Sequence, residues 1–391
     1  MEGAGERAYA TEVVKRIDFM YFDAGGGHRS AATALKSVIE QQGRPWEVRL
    51  IQVQELMGSI DIFRKYLRIN MEDVYNQLLA RGWTLGSEYL VPMMHGLIRI
   101  YHPAQRRILT KHWQQNRPDL VVSVIPNFNR ALYQGLQRAH PNVPLVTIIT
   151  DLADWPPHFW MEKQDQYLIC GTERTFEQAK KMGYDPAKVF LVSGMILRPI
   201  FYQPMEYDRA AEREKLGLQA ELPTGVVLFG GAGSKVMLKI AERIGNSDVA
   251  TQLIFICGRN EKLAARLRSM KLKNPIHVVG FTHEVPYFMH ISDFMIGKPG
   301  PGSISEAMAM KLPVIVERNA WTLPQERYNA EWVEEKQVGI VLPGFDHIEE
   351  GVRQLLSGDT LQRYRANAEA MQNRAVFEIP EILDKIMARH A

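Results

Sequence analysis

The most informative stretch of the chain is Gly297-Lys298-Pro299-Gly300-Pro301-Gly302-Ser303-Ile304-Ser305-Glu306-Ala307. It follows a short apolar run and opens a helical pattern, which is the strand–turn–helix order of a parallel sheet. Glycines let the backbone approach a ligand, and the N–H groups at a helix start attract an anion, with a dipole preference of roughly 0.3–1 kcal/mol. Gly300, Gly302 and Ser303 are therefore predicted to hold a phosphate group.

Two charged side chains complete this turn. Lys298 adds a positive charge beside a phosphate. Glu306 lies about one turn into the helix, where its carboxylate can accept hydrogen bonds from ribose hydroxyls. Together they predict a nucleotide site. The alternative is a tight strand–helix turn in which Glu306 only complements the helix dipole.

A polar helix start follows one βα unit later, within 321–329. Pro324 suits the first position of a helix, and Gln325, Glu326 and Asn329 fall on neighbouring positions of its first turns. Amides and carboxylates suit the vicinal hydroxyls of a sugar because each can make paired hydrogen bonds. We predict that these three side chains contact the sugar of a nucleotide-sugar donor.

A second glycine-rich turn lies near the amino terminus, at 23–30. It joins an apolar run to a helix, but Ser30 stands where a dinucleotide fingerprint has its third glycine. Gly26 and Gly27 are predicted to line the acceptor side of a cleft, with the imidazole of His28 facing it. The positive helix end lowers the pKa of a histidine there, which favours a neutral general base. Alternatively, His28 caps or packs the turn.

Two further turns follow apolar runs. Gly231 and Gly233, within 230–235, lack the spacing of a P-loop but can cradle phosphate or shape the cleft floor. Asp151, our second catalytic candidate, or Asp154 could orient His28 or the acceptor, or simply cap a helix. No Asp-X-Asp motif occurs, so we predict neither a metal nor another cofactor, with the leaving group stabilised by backbone N–H groups and a lysine.

Apolar runs alternate with helical patterns in both halves of the 391-residue chain, a length that suits two domains. This predicts an α/β protein of two Rossmann-like domains whose parallel sheets face a central cleft, with ligands at the carboxyl ends of the strands. We place the first domain at 1–202, with a helical insertion at about 56–113, and the second at 203–365. The helical tail, 366–391, is predicted to pack back on the first domain.

The net charge is only +3, but the insertion is basic and aromatic. Its candidate membrane-facing residues are Trp83, Arg99, Arg106, Arg107 and Lys111. Such a block predicts a surface for anionic lipid headgroups or, alternatively, an ordinary solvated helix face. The overall balance is far from strongly basic, so nucleic acid is not a predicted partner.

The location follows from what the sequence lacks. No run approaches the ~18 apolar residues of a membrane span, and residues 1–15 have no apolar signal core. Cys170 and Cys257 each end an apolar run, as buried reduced thiols do. We expect a cytoplasmic protein attached peripherally to the inner face of the membrane.

Five motifs, taken together, resemble one known family. They lie at 25–29, 150–152, 230–233, 257–260, and 298–307 with Gln325-Glu326. In this order they resemble the monogalactosyldiacylglycerol synthase and processive diacylglycerol glucosyltransferase family, which is related to the transferase that adds N-acetylglucosamine to lipid I. Through these motifs the resemblance places Arg259 with the donor. Trp155, on the acceptor side, opens the segment 155–160, where the chain departs from the family pattern.

The resemblance implies a GT-B fold and an inverting, metal-independent transfer of galactose or glucose from a UDP-sugar. It further implies a diacylglycerol-type acceptor and peripheral membrane attachment. His28 would be the catalytic base, Glu306 would bind the nucleotide ribose, and Gln325-Glu326 would bind the sugar.

Two other classes of protein compete with this interpretation. UDP-N-acetylglucosamine enzymes, either a lipid-linked transferase or a 2-epimerase, share the fold and a similar nucleotide site. A 2-epimerase needs no lipid acceptor, so the long insertion and the Gly-Gly-Gly-His turn argue against it. The third reading is a non-catalytic lipid or nucleotide sensor. The sequence leaves the sugar and the oligomeric state open.

Overall fold

The computed structural model describes residues 14–23, 26–58, 87–320 and 322–390, and within 87–99 only the helical backbone. In these ranges the strands form two six-stranded sheets, and every pair of neighbouring strands is parallel. Parallel sheets need helical crossovers on both faces, which is why the inner strands are short, apolar and buried, whereas the edge strands are less buried.

The first sheet has the strand order β2-β1-β3-β4-β5-β6. Its strands are β1 (Lys15–Tyr21), β2 (Trp46–Gln52), β3 (Leu120–Ser123), β4 (Leu145–Ile149), β5 (Tyr167–Cys170) and β6 (Val189–Leu191). Its described helices are α1 (Gly27–Gln41), α2 (Val53–Met57), α3 (Ser87–Gln115), α4 (Asn129–Ala139) and α5 (Glu173–Lys181). Short 3-10 helices lie at Pro186–Lys188 and Pro199–Tyr202, the second at the predicted domain boundary.

The second sheet has the order β12-β11-β10-β7-β8-β9. Its strands are β7 (Thr224–Leu228), β8 (Gln252–Ile256), β9 (Ile276–Val279), β10 (Phe294–Gly297), β11 (Val314–Glu317) and β12 (Gly339–Leu342). The helices around it are α6 (Arg209–Lys215), α7 (Val236–Asn246), α8 (Glu261–Arg268), α9 (Val285–His290), α10 (Pro301–Ala309), α11 (Pro324–Glu335), α12 (Ile348–Leu355) and α13 (Thr360–Glu369), with a 3-10 helix at Phe345–His347.

The prediction of an α/β protein with two parallel-sheet domains is confirmed. Eleven of the twelve strands coincide with apolar runs in the sequence, at 17–22, 46–53, 120–125, 145–150, 167–170, 189–192, 225–229, 252–256, 277–279, 294–296 and 314–316. Strand β12 was not predicted, because it has only four residues and the glycine at its start resembles a turn. Only glycine fits there, since a Cβ on Gly339 would lie 2.1 Å from the Val314 carbonyl oxygen.

The carboxyl-terminal tail divides between the two domains. Helix α13 belongs to the second domain, where Arg365 contacts Asp293 and Ala368 joins the core. A final helix, α14 (Ala375–Arg389), places Ile379 and Leu383 in the core of the first sheet. The predicted single segment at 366–391 is therefore two helices, because residues 370–374 break the pattern.

The predicted insertion at 56–113 is described only in part. Helix α3 runs from within it to Gln115, and Leu109 and Trp113 pack into a cluster with Met20, Val121 and Leu136. Within the described ranges, no helix combines the length and apolar character that crossing a membrane requires.

Candidate functional site

The turn after β10 brings the predicted phosphate-binding residues together. Gly300 precedes the first turn of α10, and Pro301 stands at its first position, where no N–H is needed. The N–H groups of Gly302 and Ser303 follow, in the turn whose donors have no intrahelical acceptor. Space for a ligand remains there, since a Cβ on Gly302 would meet nothing within 4 Å. The arrangement suits an anion.

An ion pair joins this turn to the first turn of α11. Lys298 Nζ lies 2.8 Å from Glu326 Oε1, and the Glu326 side chain is only 11% exposed. Gln325 is half-buried beside it. The predicted phosphate side chain and the predicted sugar side chains are therefore neighbours, as a single nucleotide-sugar site requires.

Asn329 has a different position from the one predicted. Its side chain is 0% exposed, and its amide nitrogen donates a hydrogen bond of 2.8 Å to the Pro299 carbonyl. A side chain with no exposed surface cannot touch a sugar, so direct contact at Asn329 was a wrong prediction. Its hydrogen bond to Pro299 instead fixes the turn between β10 and α10.

Glu306 points from the second turn of α10 and is half-buried. Burial raises the pKa of its carboxyl to about 7, and the nearby Arg198 guanidinium partly opposes this. A carboxylate kept out of bulk water gains most from hydrogen-bond donors such as ribose hydroxyls.

The glycine loop after β7 packs against the turn after β8. The Arg259 N–H donates to the Gly231 carbonyl at 2.9 Å, and a Cβ on Gly258 would come within 2.2 Å of that same oxygen. The two turns can approach only because Gly258 has no side chain. Arg259 then lies over the exposed ring of Phe281, 5.0 Å from its centroid, at the carboxyl end of the sheet. Gly233 adopts a φ of +61° in the same loop.

His28 lies in the first turn of α1, behind Gly26, whose φ is 82°. The Thr150 hydroxyl is 3.4 Å from its Nδ1, and the ring also hydrogen-bonds the Val124 backbone. Burial lowers the pKa of His28 to about 4, against the effect of the Val124 bond. The imidazole is therefore neutral at pH 7, the form that a general base needs.

Asp151 does not orient His28 directly. Its Oδ2 accepts a hydrogen bond of 2.7 Å from the indole N–H of Trp160, and that indole packs against the His28 ring with centroids 5.9 Å apart. Direct orientation of His28 by Asp151 is therefore corrected, because Trp160 contacts both side chains; the alternative that Asp151 orients the acceptor stays a prediction. Asp154 holds this loop by accepting the backbone N–H of Trp160 at 2.7 Å and of His158 at 3.2 Å.

The contact of Trp160 with His28 was not predicted from the sequence. The only signal was a pair of tryptophans in the turn after β4, and nothing in the spacing tells which one faces the base. Trp155, predicted on the acceptor side, is 44% exposed, whereas Trp160 is fully buried.

The predicted membrane-facing residues are only partly described. Arg107 and Lys111 are exposed one turn apart on α3, and Arg106 is half-buried. Ile100, which the prediction did not include, is 72% exposed on the same helix. Trp83 and the side chain of Arg99 lie outside the described residues. Gly26 and Gly27 are exposed, and a Cβ on either would meet nothing within 4 Å.

In the ranges that the structure covers, no three His, Cys, Asp or Glu side chains gather as metal ligands. Both cysteines in those ranges, Cys170 and Cys257, are buried, and burial raises the pKa of each thiol.

Comparison with protein families gives one match for each domain. A family model described as monogalactosyldiacylglycerol (MGDG) synthase matches residues 28–195, and the glycosyltransferase family 28 C-terminal domain matches 226–386. Among curated proteins, the chloroplastic monogalactosyldiacylglycerol synthase of Spinacia oleracea is 28% identical over 407 residues, covering 97% of this chain and 74% of the relative.

Solved structures share the arrangement of both domains. The chain is similar to MurG of Acinetobacter baumannii (TM-score 0.60, 13% identity, 95% of this chain and 99% of that one). It is equally similar to CalG4, the calicheamicin glycosyltransferase (TM-score 0.60, 15% identity, 96% and 98%). A UDP-N-acetylglucosamine 2-epimerase matches with a TM-score of 0.56, 12% identity, and 93% and 91% coverage. At these identities the likeness shows the fold alone, which is GT-B.

Proposed function

Because the chain is a glycosyltransferase of the monogalactosyldiacylglycerol synthase and family 28 type, we propose that it moves galactose or glucose from a UDP-sugar to a diacylglycerol-type lipid. The product is a glycolipid made at a membrane surface. The match of the first domain carries this proposal. The second domain alone would not distinguish a transferase from an epimerase, since both share the fold.

The donor lies mainly on the second domain. Its diphosphate meets the start of α10, where the N–H groups of Gly302 and Ser303 and the Lys298 ammonium carry positive charge. Its ribose hydroxyls donate to Glu306, and its sugar lies beside Gln325 and Glu326. The same N–H groups and Lys298 stabilise the negative charge that grows on the leaving UDP.

His28 acts on the acceptor. The lipid hydroxyl oxygen bonds to the anomeric carbon as the bond from that carbon to the diphosphate oxygen breaks, and UDP leaves with the electron pair. His28, neutral because burial lowers its pKa, takes the hydroxyl proton. Attack from the face opposite UDP inverts the anomeric configuration. The exposed Ile100, Arg107 and Lys111 bring this side of the cleft to the lipid.

The test is a product analysis. The protein is incubated with vesicles that contain diacylglycerol and, separately, with UDP-galactose, UDP-glucose or UDP-N-acetylglucosamine. We expect a hexosyl-diacylglycerol by mass spectrometry and, because UDP-sugars are α-linked, a β-anomeric signal by NMR. An epimerised UDP-sugar formed without lipid, or no glycolipid with any donor, would overturn the proposal.

A further inference from the structure

The turn after β4 and helix α11 belong to different domains, and helix α5 contacts both of them. The Thr172 hydroxyl, at the start of α5, donates a hydrogen bond of 2.8 Å to the Leu152 carbonyl. Two residues later, the Arg174 guanidinium lies over the ring of Tyr328 on α11, 5.3 Å from its centroid. Helix α5 thus bridges the loop of Asp151 to the helix that carries the sugar side chains.

Asp151 lies within electrostatic range of the charged pair formed by Lys298 and Glu326. Burial raises the pKa of its carboxyl to about 7, the Trp160 hydrogen bond lowers it, and the Glu326 carboxylate and Lys298 ammonium shift it in opposite directions. Both groups of the second domain are therefore within electrostatic range of a first-domain carboxyl. Asp151 is 9% exposed.

One oxygen of Asp151 is committed and the other is available. Oδ2 accepts the Trp160 indole N–H at 2.7 Å. Within the described part of the chain, Oδ1 accepts no hydrogen bond. This oxygen keeps some accessible surface, and hydroxyl groups are the donors that a sugar supplies to a carboxylate.

We propose that Asp151 reads a hydroxyl of the donor hexose, opposite Glu326, so that the two domains recognise the sugar jointly. This rests on the proposed function and deepens it. Asp151 and Glu326 each accept from a different hydroxyl, and a sugar whose hydroxyls do not match both carboxylates leaves one of them desolvated without a donor. Arg174 is a positioning residue that keeps the Asp151 loop beside α11 through its contact with Tyr328.

Loss of the Asp151 carboxylate should weaken the binding of UDP-hexose but not of UDP, because UDP has no sugar for Asp151 to contact. Binding of UDP, UDP-galactose and UDP-glucose is measured by calorimetry, without acceptor, for the wild type and Asp151→Asn. The asparagine keeps an oxygen for the Trp160 indole. We expect the ratio of UDP-hexose affinity to UDP affinity to fall by about tenfold, the worth of a hydrogen bond to a charged group, while UDP affinity stays unchanged.

Two further variants make the measurement decisive. Asp165→Asn is the matched control, since this exposed carboxylate pairs with Lys188 away from the cleft and its loss leaves the ratio unchanged. Arg174→Gln, an exposed side chain, lowers the same ratio and serves if Asp151→Asn does not fold. Glu177→Gln on the same helix is its control.

The outcomes are distinguishable. If the ratio of UDP-hexose affinity to UDP affinity is the same in Asp151→Asn and Arg174→Gln as in the wild type, the inference is overturned and the proposed function stays intact. Equal loss of UDP and UDP-hexose in Asp151→Asn also overturns it, since that marks a purely structural role. A wild-type protein that binds neither UDP nor any UDP-hexose overturns the proposed function itself.

Discussion

The two glycine-rich turns that face the cleft are assembled in opposite ways. At the donor turn, the partners of Lys298 and Pro299 are Glu326 and Asn329, 28 and 30 residues further along the chain. At the acceptor turn, Thr150 is 122 residues from His28, and Trp160 is further still. The donor turn is therefore made by one βα unit and its neighbour, whereas the base pocket needs strands from across the first sheet. A site whose residues lie close together in the chain can be predicted from the sequence, whereas the contacts of a pocket built from distant segments cannot.

The largest expected effect is on the dispersed pocket. Replacing His28 with alanine removes the group that accepts the acceptor proton, and kcat should fall by about 100- to 10,000-fold. Lipid-dependent turnover at saturating UDP-sugar is the measurement. Lys36→Ala on the same helix, which loses only a surface ion pair, is the control. A folded His28→Ala protein with near wild-type kcat would show that this turn only packs.

A smaller effect is expected at the donor turn. Replacing Lys298 with glutamine removes the ammonium beside the diphosphate, and a lost charge-assisted hydrogen bond of about 1.5–3 kcal/mol weakens UDP-sugar binding by roughly 10- to 100-fold. Calorimetric titration with UDP-sugar measures this. Lys311→Gln, two residues beyond the end of α10 and paired with Glu369, should bind normally. Unchanged affinity in Lys298→Gln would place the diphosphate elsewhere.

The pH profile separates the two turns by the groups that titrate. Burial lowers the pKa of His28 to about 4, so its neutral form persists well below the ordinary histidine value near 6.5. At pH 5.5 an ordinary histidine would be about nine-tenths protonated and activity about tenfold lower. We expect that kcat does not show this tenfold decrease at pH 5.5, because His28 stays neutral there. Glu306, with a pKa of about 7, ionises as pH rises through neutrality and then accepts ribose hydroxyls better.

The measurement is kcat and kcat/KM against pH for the wild type and for Glu306→Gln, with circular dichroism to confirm folding at each pH. A limb near pH 7 that Glu306→Gln removes belongs to the donor turn. A limb near 6.5 in kcat that persists in Glu306→Gln and Asp151→Asn would mean that His28 is solvated.

The smallest effect per residue concerns the surface that brings the acceptor turn to lipid. Each basic side chain near an anionic membrane contributes about 1 kcal/mol, so Arg107→Gln with Lys111→Gln should weaken vesicle binding by about fivefold per residue. Sedimentation with vesicles that do or do not contain anionic lipid measures this. Arg266→Gln with Lys271→Gln removes the same charge from the second domain. Equal binding of both double variants would place the membrane contact away from α3.

Much of the donor site could be predicted because its chemistry is local. A strand, a Gly-Pro-Gly turn, a lysine and a carboxylate lie in consecutive positions, and helix geometry places them on one edge. Asn329 was the exception, since periodicity puts it on the same face as Gln325 but does not reveal that Pro299 covers it. Strand β12 was missed for a related reason, because the need for Gly339 appears only when Val314 is alongside.

What the sequence determined by itself is the alternation of apolar runs and helices, and hence two parallel sheets, together with the residue types at each turn. These follow from periodicity and backbone chemistry, which act over a few residues. Only the tertiary structure shows which side chains meet, as Trp160 does with His28 and Arg174 with Tyr328. Those contacts join residues far apart in the chain, and only packing of the buried faces brings them within a few ångströms.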